Sequence, residues 1–198
     1  MKPYFDTNHV AGLLLLIVLL GWAAMELGQL SRGREARPGA TRIGGLSWWF
    51  AAGAVAAAAN VVLYAAPHLV PAAAIGSGAV AFAVGLAMMV GGAVLRGWSF
   101  KTLGDYFTFN VMVSSDQPVI TSGPYRLLRH PSYTGILLVS AGLGVAGANW
   151  VGVAGLVLLP LALTIWRIHI EETALLATLG DRYRSYAVHH KRLVPAIW

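Results

Sequence analysis

The sequence predicts an all-α integral membrane protein of about five transmembrane helices. Three observations carry that reading. Hydrophobic residues fill 57% of the 198 positions and charged residues only 11%, against roughly 25% charged in a water-soluble domain. The mean hydropathy of +0.66 leaves too little polar surface to face water. Every Lys and Arg except Lys2 falls in the segments 31–45, 96–132 or 167–198. With five spans these lie on one side of the membrane, so the net charge of +6 reads as positive-inside topology and not as a nucleic-acid surface. There is no cysteine, which excludes disulfides, thiolate metal sites and cysteine nucleophiles but says nothing of the redox compartment. The length suggests a single domain.

The first apolar run covers 10–30, enough to cross about 30 Å of hydrocarbon. Only Lys2 precedes it, so a cleavable signal peptide is not expected. Glu26 near its end reaches the interface. The segment 31–45 carries Arg32, Arg34, Arg37 and Arg42 against Glu35, and Pro38-Gly39 makes it a loop. The second span is 46–66, opening on Trp48 and Trp49 as an aromatic belt. Pro67-His68-Leu69-Val70-Pro71 is an uncharged turn, and 72–95 is a third span whose Gly and Ala residues suit close helix packing. The stretch 96–132 is polar and too irregular to span. The fourth and fifth spans, 133–149 and 150–168, meet at Asn149-Trp150 with almost no loop and form a tight hairpin, with Pro160 a possible kink site. The tail 171–198 is amphipathic, with Leu175, Leu176, Leu179, Tyr183 and Tyr186 at helical spacing, Gly180 interrupting it and Pro195 closing it. This topology puts the N-terminus outside the cell membrane and the long polar segments in the cytoplasm.

Several motifs have a plain reading. Gly142-Leu143-Gly144-Val145-Ala146-Gly147 has the G-x-G-x-x-G form, but that fingerprint needs a strand and a soluble βαβ unit. Inside an apolar run its glycines serve helix packing. His68, His189 and His190 are interface or solvated residues, and no carboxylate or cysteine stands at metal-binding spacing beside them. Asn60, mid-span, is an interhelical hydrogen-bonding residue. Arg167 and Glu171 are four residues apart and share one helix face at the cytoplasmic end of the fifth span. His169 and Glu172 point elsewhere and are solvated or lie behind the site. In Gly123-Pro124-Tyr125-Arg126-Leu127-Leu128-Arg129-His130-Pro131-Ser132-Tyr133-Thr134-Gly135, polar and aromatic groups gather at a membrane edge, which is costly unless they are used. Arg126 suits an interfacial anchor. Pro131 marks a helix start, so Arg129 and His130 sit at a helix N-terminus, whose free N–H groups favour a small anionic ligand.

These residues resemble the isoprenylcysteine carboxyl methyltransferase family and its relatives among membrane phospholipid methyltransferases. The resemblance covers about the C-terminal half. It begins near Leu103-Gly104 and runs from Val119 through Arg126 into Arg129-His130-Pro131-Ser132-Tyr133-Thr134-Gly135. It resumes over Arg167 to Leu175 and Leu179 to Tyr186, and ends at Val194-Pro195. The resemblance implies S-adenosyl-L-methionine as methyl donor, S-adenosyl-L-homocysteine as product, and a pocket between the polar segment and the tail. Gln117, Pro118, Val119 and Ile120 would line the cofactor with their backbone. Gln117 stands where many relatives have histidine, so a side-chain contact there is not carried over. Tyr125, His130, Pro131, Ser132 and Tyr133 would complete the pocket, with Asn110 a further contact upstream. Glu171 would hold the cofactor ammonium and Arg167 would face the methyl acceptor. Residues 1–95 then form three N-terminal transmembrane helices and 96–198 the catalytic region. The expected partners are a lipophilic or lipid acceptor and membrane lipids, with no nucleic acid and no metal. The oligomeric state is left open.

The residues themselves favour a carboxylate acceptor. A carboxylate is nucleophilic at neutral pH and needs only orientation, which the planar guanidinium of Arg167 provides. A protonated amine would need a base, His130 or Glu172, and gains nothing from a facing arginine. N-methylation of a phospholipid and S-methylation of a thiol stay as alternatives, and a non-catalytic membrane lipid-binding protein is a third.

Overall fold

The computed structural model describes residues 2–32, 41–43, 46–108 and 111–198. The expected loop residues Arg34, Glu35, Arg37, Pro38 and Gly39 and the expected contact Asn110 lie outside the described residues, as do the side chains of Arg32, Arg42, Trp48 and Trp49. Seven helices follow in order among the described residues: α1 (Tyr4–Thr7), α2 (His9–Arg32), α3 (Leu46–Leu69), α4 (Gly78–Leu103), α5 (Pro131–Ala146), α6 (Trp150–Leu179) and α7 (Asp181–His189). By length and composition α2, α3, α4 and α6 can each cross a membrane. The apolar helix α5 has 16 residues, about 24 Å at 1.5 Å per residue, and is the short member of the set.

The helices do not end where the apolar runs end. The third span begins at Gly78, not at 72, because Pro71–Ala73 forms a separate 3₁₀ turn, and it continues through Arg96 to Leu103 before Gly104 stops it at φ +53°. Pro67 and His68 belong to α3 and not to a turn. The fifth span runs on past 168 to Leu179, where Gly180 at φ +56° ends it and α7 begins. The segment expected as loop contains one strand: β1 (Thr41–Ile43) pairs antiparallel with β2 (Val111–Val113), Arg42 opposite Met112. This short ladder is the β content added to the all-α bundle among the described residues.

Glycine spacing explains how α4 and α5 pack. Gly85 and Gly92 on α4 are seven residues apart, as are Gly135 and Gly142 on α5. The helices run antiparallel with Gly92 against Gly135 and Gly85 against Gly142, backbone on backbone. In a bilayer, where water supplies no driving force between helices, such close approach is what holds them. Gly144 packs on Val153 of α6, and Gly155 on Val62 of α3. Asn149 makes the hairpin tight by accepting from the N–H groups of Val151 and Gly152, capping α6, while its Nδ2 donates to the Val70 carbonyl at 3.0 Å. Asn60, expected between helices, instead donates to the Ala56 carbonyl of its own helix and is exposed. A short polar side chain in a helix can satisfy itself on the preceding turn.

A Cβ on Gly92 would stand 2.7 Å from the Gly135 carbonyl oxygen and 2.9 Å from the Val139 nitrogen, both backbone atoms that cannot turn aside. Gly92→Val is expected to destabilise the protein by at least about 2 kcal/mol. Gly21→Val, at a position with nothing within 4 Å, is expected to change little. Thermal unfolding of both variants in detergent checks this.

The bundle has two ends. Asn149 meets the end of α3 at one of them, and α1 lies near there, with Tyr4 5.9 Å from the Phe82 ring. At the other, the C-terminal ends of α2, α4 and α6 converge on the N-terminal end of α5.

Candidate active site

The start of α5 is fixed by the chain's own tail. Gly123, at φ +56°, opens a 3₁₀ turn over Gly123–Arg126. The tail then pairs alongside: the Arg129 N–H donates to the Lys191 carbonyl at 2.7 Å and the His130 N–H to the Arg192 carbonyl at 3.0 Å. The Thr134 hydroxyl donates to the Leu193 carbonyl at 2.8 Å. From α7 the buried Tyr186 hydroxyl donates to the carbonyls of Tyr125 and Leu128. Burial pushes the Tyr125, Tyr183 and Tyr186 hydroxyls well above the usual tyrosine range, so all three stay neutral donors.

Between this assembly and the helix ends lies a cavity of about 410 Å³, within the usual size range of small-molecule sites. Gln117, Pro118, Val119, Ile120, Tyr125, His130, Ser132, Tyr133, Arg167 and Glu171 all line it. Pro131 does not. It is fully buried as the first residue of α5, where its missing N–H costs nothing. Trp22 and Glu26 of α2, Arg96 of α4 and Tyr183 of α7 complete the wall.

The two neighbouring glutamates have separate surroundings. Glu171 accepts a hydrogen bond from the Tyr133 hydroxyl at 2.9 Å, and its side chain keeps 32% exposure. Arg167, one turn back on α6, is 3% exposed and also hydrogen-bonds to Tyr133. Of its two expected places, solvated or behind the site, Glu172 takes the second. Its carboxylate, 8% exposed, meets Arg129 at 2.7 Å, His130 Nε2 at 3.1 Å and Arg192 at 2.9 Å. Adjacent residues on a helix point about 100° apart, so one carboxylate faces the cavity and the next turns into the protein. His130 is thereby held between them, Nδ1 4.0 Å from Glu171, its ring stacked at 5.6 Å on Tyr133. Arg126 is exposed, as an interfacial anchor would be.

Arg96 was not singled out from sequence. It forms a two-pronged ion pair with Glu26, donates to the Ser132 hydroxyl at 2.7 Å, and lies 4.7 Å from the Phe100 ring centre. Glu26 is thus a partner of α4. The available signal was Glu26 inside an apolar run, which in a membrane asks for a partner.

These features define a multi-span membrane protein with a charged small-molecule cavity at one membrane face. Residues 84–177 match the isoprenylcysteine carboxyl methyltransferase (ICMT) family. Among curated proteins, the chain is 31% identical over 120 residues to protein-S-isoprenylcysteine O-methyltransferase B of Arabidopsis thaliana, covering 57% of this chain and 58% of that one. It is 36% identical over 122 residues to protein-S-isoprenylcysteine O-methyltransferase of Mus musculus, covering 57% of this chain and 39% of that one. The solved structure of the eukaryotic intramembrane Ras methyltransferase ICMT superposes with a TM-score of 0.61 at 28% identity, over 78% of this chain and 55% of that one. The chain spans only part of the length of these curated relatives, 58% of the first and 39% of the second. Through residues 84–177, a little under half of the chain, the sequence resembles the isoprenylcysteine carboxyl methyltransferase family.

Proposed function

We propose that this chain is an integral membrane methyltransferase that uses S-adenosyl-L-methionine to methylate a carboxylate of a lipophilic, isoprenylcysteine-like acceptor. The observation that carries the reading is the placement of Arg167 and Glu171 on one face of α6, in one cavity, with the Tyr133 hydroxyl between them. The cavity suits a zwitterionic, cationic cofactor. Of the two glutamates in the cavity wall, Glu26 is paired with Arg96, whereas Glu171 presents a partly exposed carboxylate to the space. Glu171 would receive the cofactor ammonium. Bound S-adenosyl-L-methionine supplies an electrophilic methyl group. Arg167 orients the acceptor carboxylate as a planar fork, and its burial keeps water from competing for it. Residues 117–120 and Tyr125 form the opposite wall.

Residues 96–198 form the catalytic region, with α2 contributing Trp22 and Glu26 to its wall. The distribution of Lys and Arg supports an orientation with this end of the bundle in the cytoplasm and the N-terminus outside, in the cell (inner) membrane.

Titration calorimetry of the detergent-solubilised protein with S-adenosyl-L-homocysteine tests the reading, and absence of binding at high micromolar ligand would overturn it. Methyl transfer to a prenylated cysteine analogue, phosphatidylethanolamine and an alkyl thiol separates the acceptors. Labelling of the lipid amine alone would refute the role given to Arg167. Glu171→Gln is expected to weaken S-adenosyl-L-homocysteine binding by about tenfold or more, the worth of a hydrogen bond to a charged group.

A further inference from the structure

The ion pair between Glu26 and Arg96 is more elaborate than a tie between two helices requires. Arg96 is 5% exposed. Its Nε and Nη2 hold the Glu26 carboxylate, Nη2 at 2.8 Å, while Nη1 donates to the Ser132 hydroxyl at 2.7 Å and to the Ser132 carbonyl at 3.3 Å. The rings of Phe100, Trp22 and Phe107 stand 4.7, 5.6 and 6.0 Å from the guanidinium carbon. The side chain leaves α4 where α5 touches it: a Cβ on Gly135 would lie 2.9 Å from Arg96 Cβ. Stability is a weak reason for such a pair. Apolar residues of similar volume in place of a buried ion pair are often as stable or more so, and ionisable residues within a span are costly. What an apolar pair lacks is direction. A guanidinium cannot shed its charge, and one clamped by a carboxylate presents its remaining donors in a fixed fork.

We propose that Glu26 and Arg96 are positioning residues for methyl transfer: the pair fixes Ser132 and, through the first turn of α5, the hydroxyl of Tyr133. This rests on the methyltransferase reading above. Ser132 and Tyr133 are the second and third residues of α5. The Tyr133 hydroxyl is the group that meets both Glu171 and Arg167. A chain of contacts therefore runs from α2 through α4 and α5 to the two residues of α6 that carry the proposed chemistry. Arg96 lines the cavity, but all three of its nitrogens already donate within the protein, so it acts through Ser132. Glu26 lies outside residues 84–177, so the family resemblance assigns it no role. The first long span then becomes a working part of the site.

The test is a mutant cycle in detergent, read at saturating S-adenosyl-L-methionine with whichever of the three acceptors above the wild type methylates. The double variant Glu26→Leu/Arg96→Met is expected to melt near the wild-type temperature, yet to lose about tenfold or more in kcat with the acceptor KM within about threefold. Ser132→Ala is expected to lose about threefold or more in kcat. Because the pair acts through Ser132, the triple variant is expected to be no slower than the double. If the double variant does not fold, Glu26→Gln, which keeps an acceptor oxygen for Arg96, takes its place in the same cycle with the same reading. The proposal is overturned if kcat survives in the pair variant or in Ser132→Ala, if the loss falls on KM and not on kcat, or if the effects of the pair and of Ser132 simply multiply. A wild type that binds no S-adenosyl-L-homocysteine and methylates none of the acceptors would instead overturn the methyltransferase reading, and this proposal with it.

Discussion

Replacing Arg167 with alanine is expected to lower turnover by about 100-fold or more while S-adenosyl-L-homocysteine affinity stays within about threefold of wild type. The guanidinium is nearly out of contact with solvent, and a charged group there acts at lower dielectric than one in water. Its value lies in fixing an acceptor carboxylate in line with the methyl group, where small errors of position are expensive. Lysine offers a point charge without the fork, so Arg167→Lys is expected to recover little. Methyl transfer to a prenylated cysteine analogue measures the loss, and calorimetry measures the retained affinity. If Arg167→Ala and Glu171→Gln lose cofactor affinity equally, the two residues serve as a structural pair and the division of labour proposed for them is wrong.

The bundle was largely legible because lipid enforces long apolar runs, and the hairpin at Asn149 was legible because no polar residues separate two of them. The helix ends were not. Arg96 read as the start of a polar segment, yet it stays helical because Glu26, 70 positions earlier, neutralises it. Hydropathy scores each residue alone and cannot see such a pair. Tyr125, His130, Tyr133, Arg167 and Glu171 stand around one cavity. Helix spacing leaves Glu172 either solvated or behind the site, because nothing near it in the chain identifies its partners. Its partners Arg129 and Arg192 arrive from the polar segment and the tail, and the pairing of Leu128 with Lys191 that brings them is made by backbone groups, which carry no sequence signature.

Glu172→Ala is expected to cost about 3–5 kcal/mol of stability, the usual result of deleting one partner from a buried ionic cluster. The carboxylate joins three separate pieces of chain: α6, the turn carrying Arg129 and His130 into α5, and the tail carrying Arg192. Without it, Arg129, 12% exposed, loses its countercharge in a place that water barely reaches. Arg192→Ala removes a partner that is 28% exposed and leaves Arg129 and His130 on the carboxylate, so it is expected to cost no more than about 1 kcal/mol. Glu172→Gln keeps an acceptor oxygen but not the charge and should fall between them. Thermal unfolding of the three variants in detergent orders them. A Glu172→Ala melt within a degree of wild type would show that the tail and the start of α5 are held by their backbone pairing alone. The expected order instead makes Glu172 the residue that sets where Arg129 and His130 stand, so its loss should also weaken S-adenosyl-L-homocysteine binding without Glu172 touching the ligand.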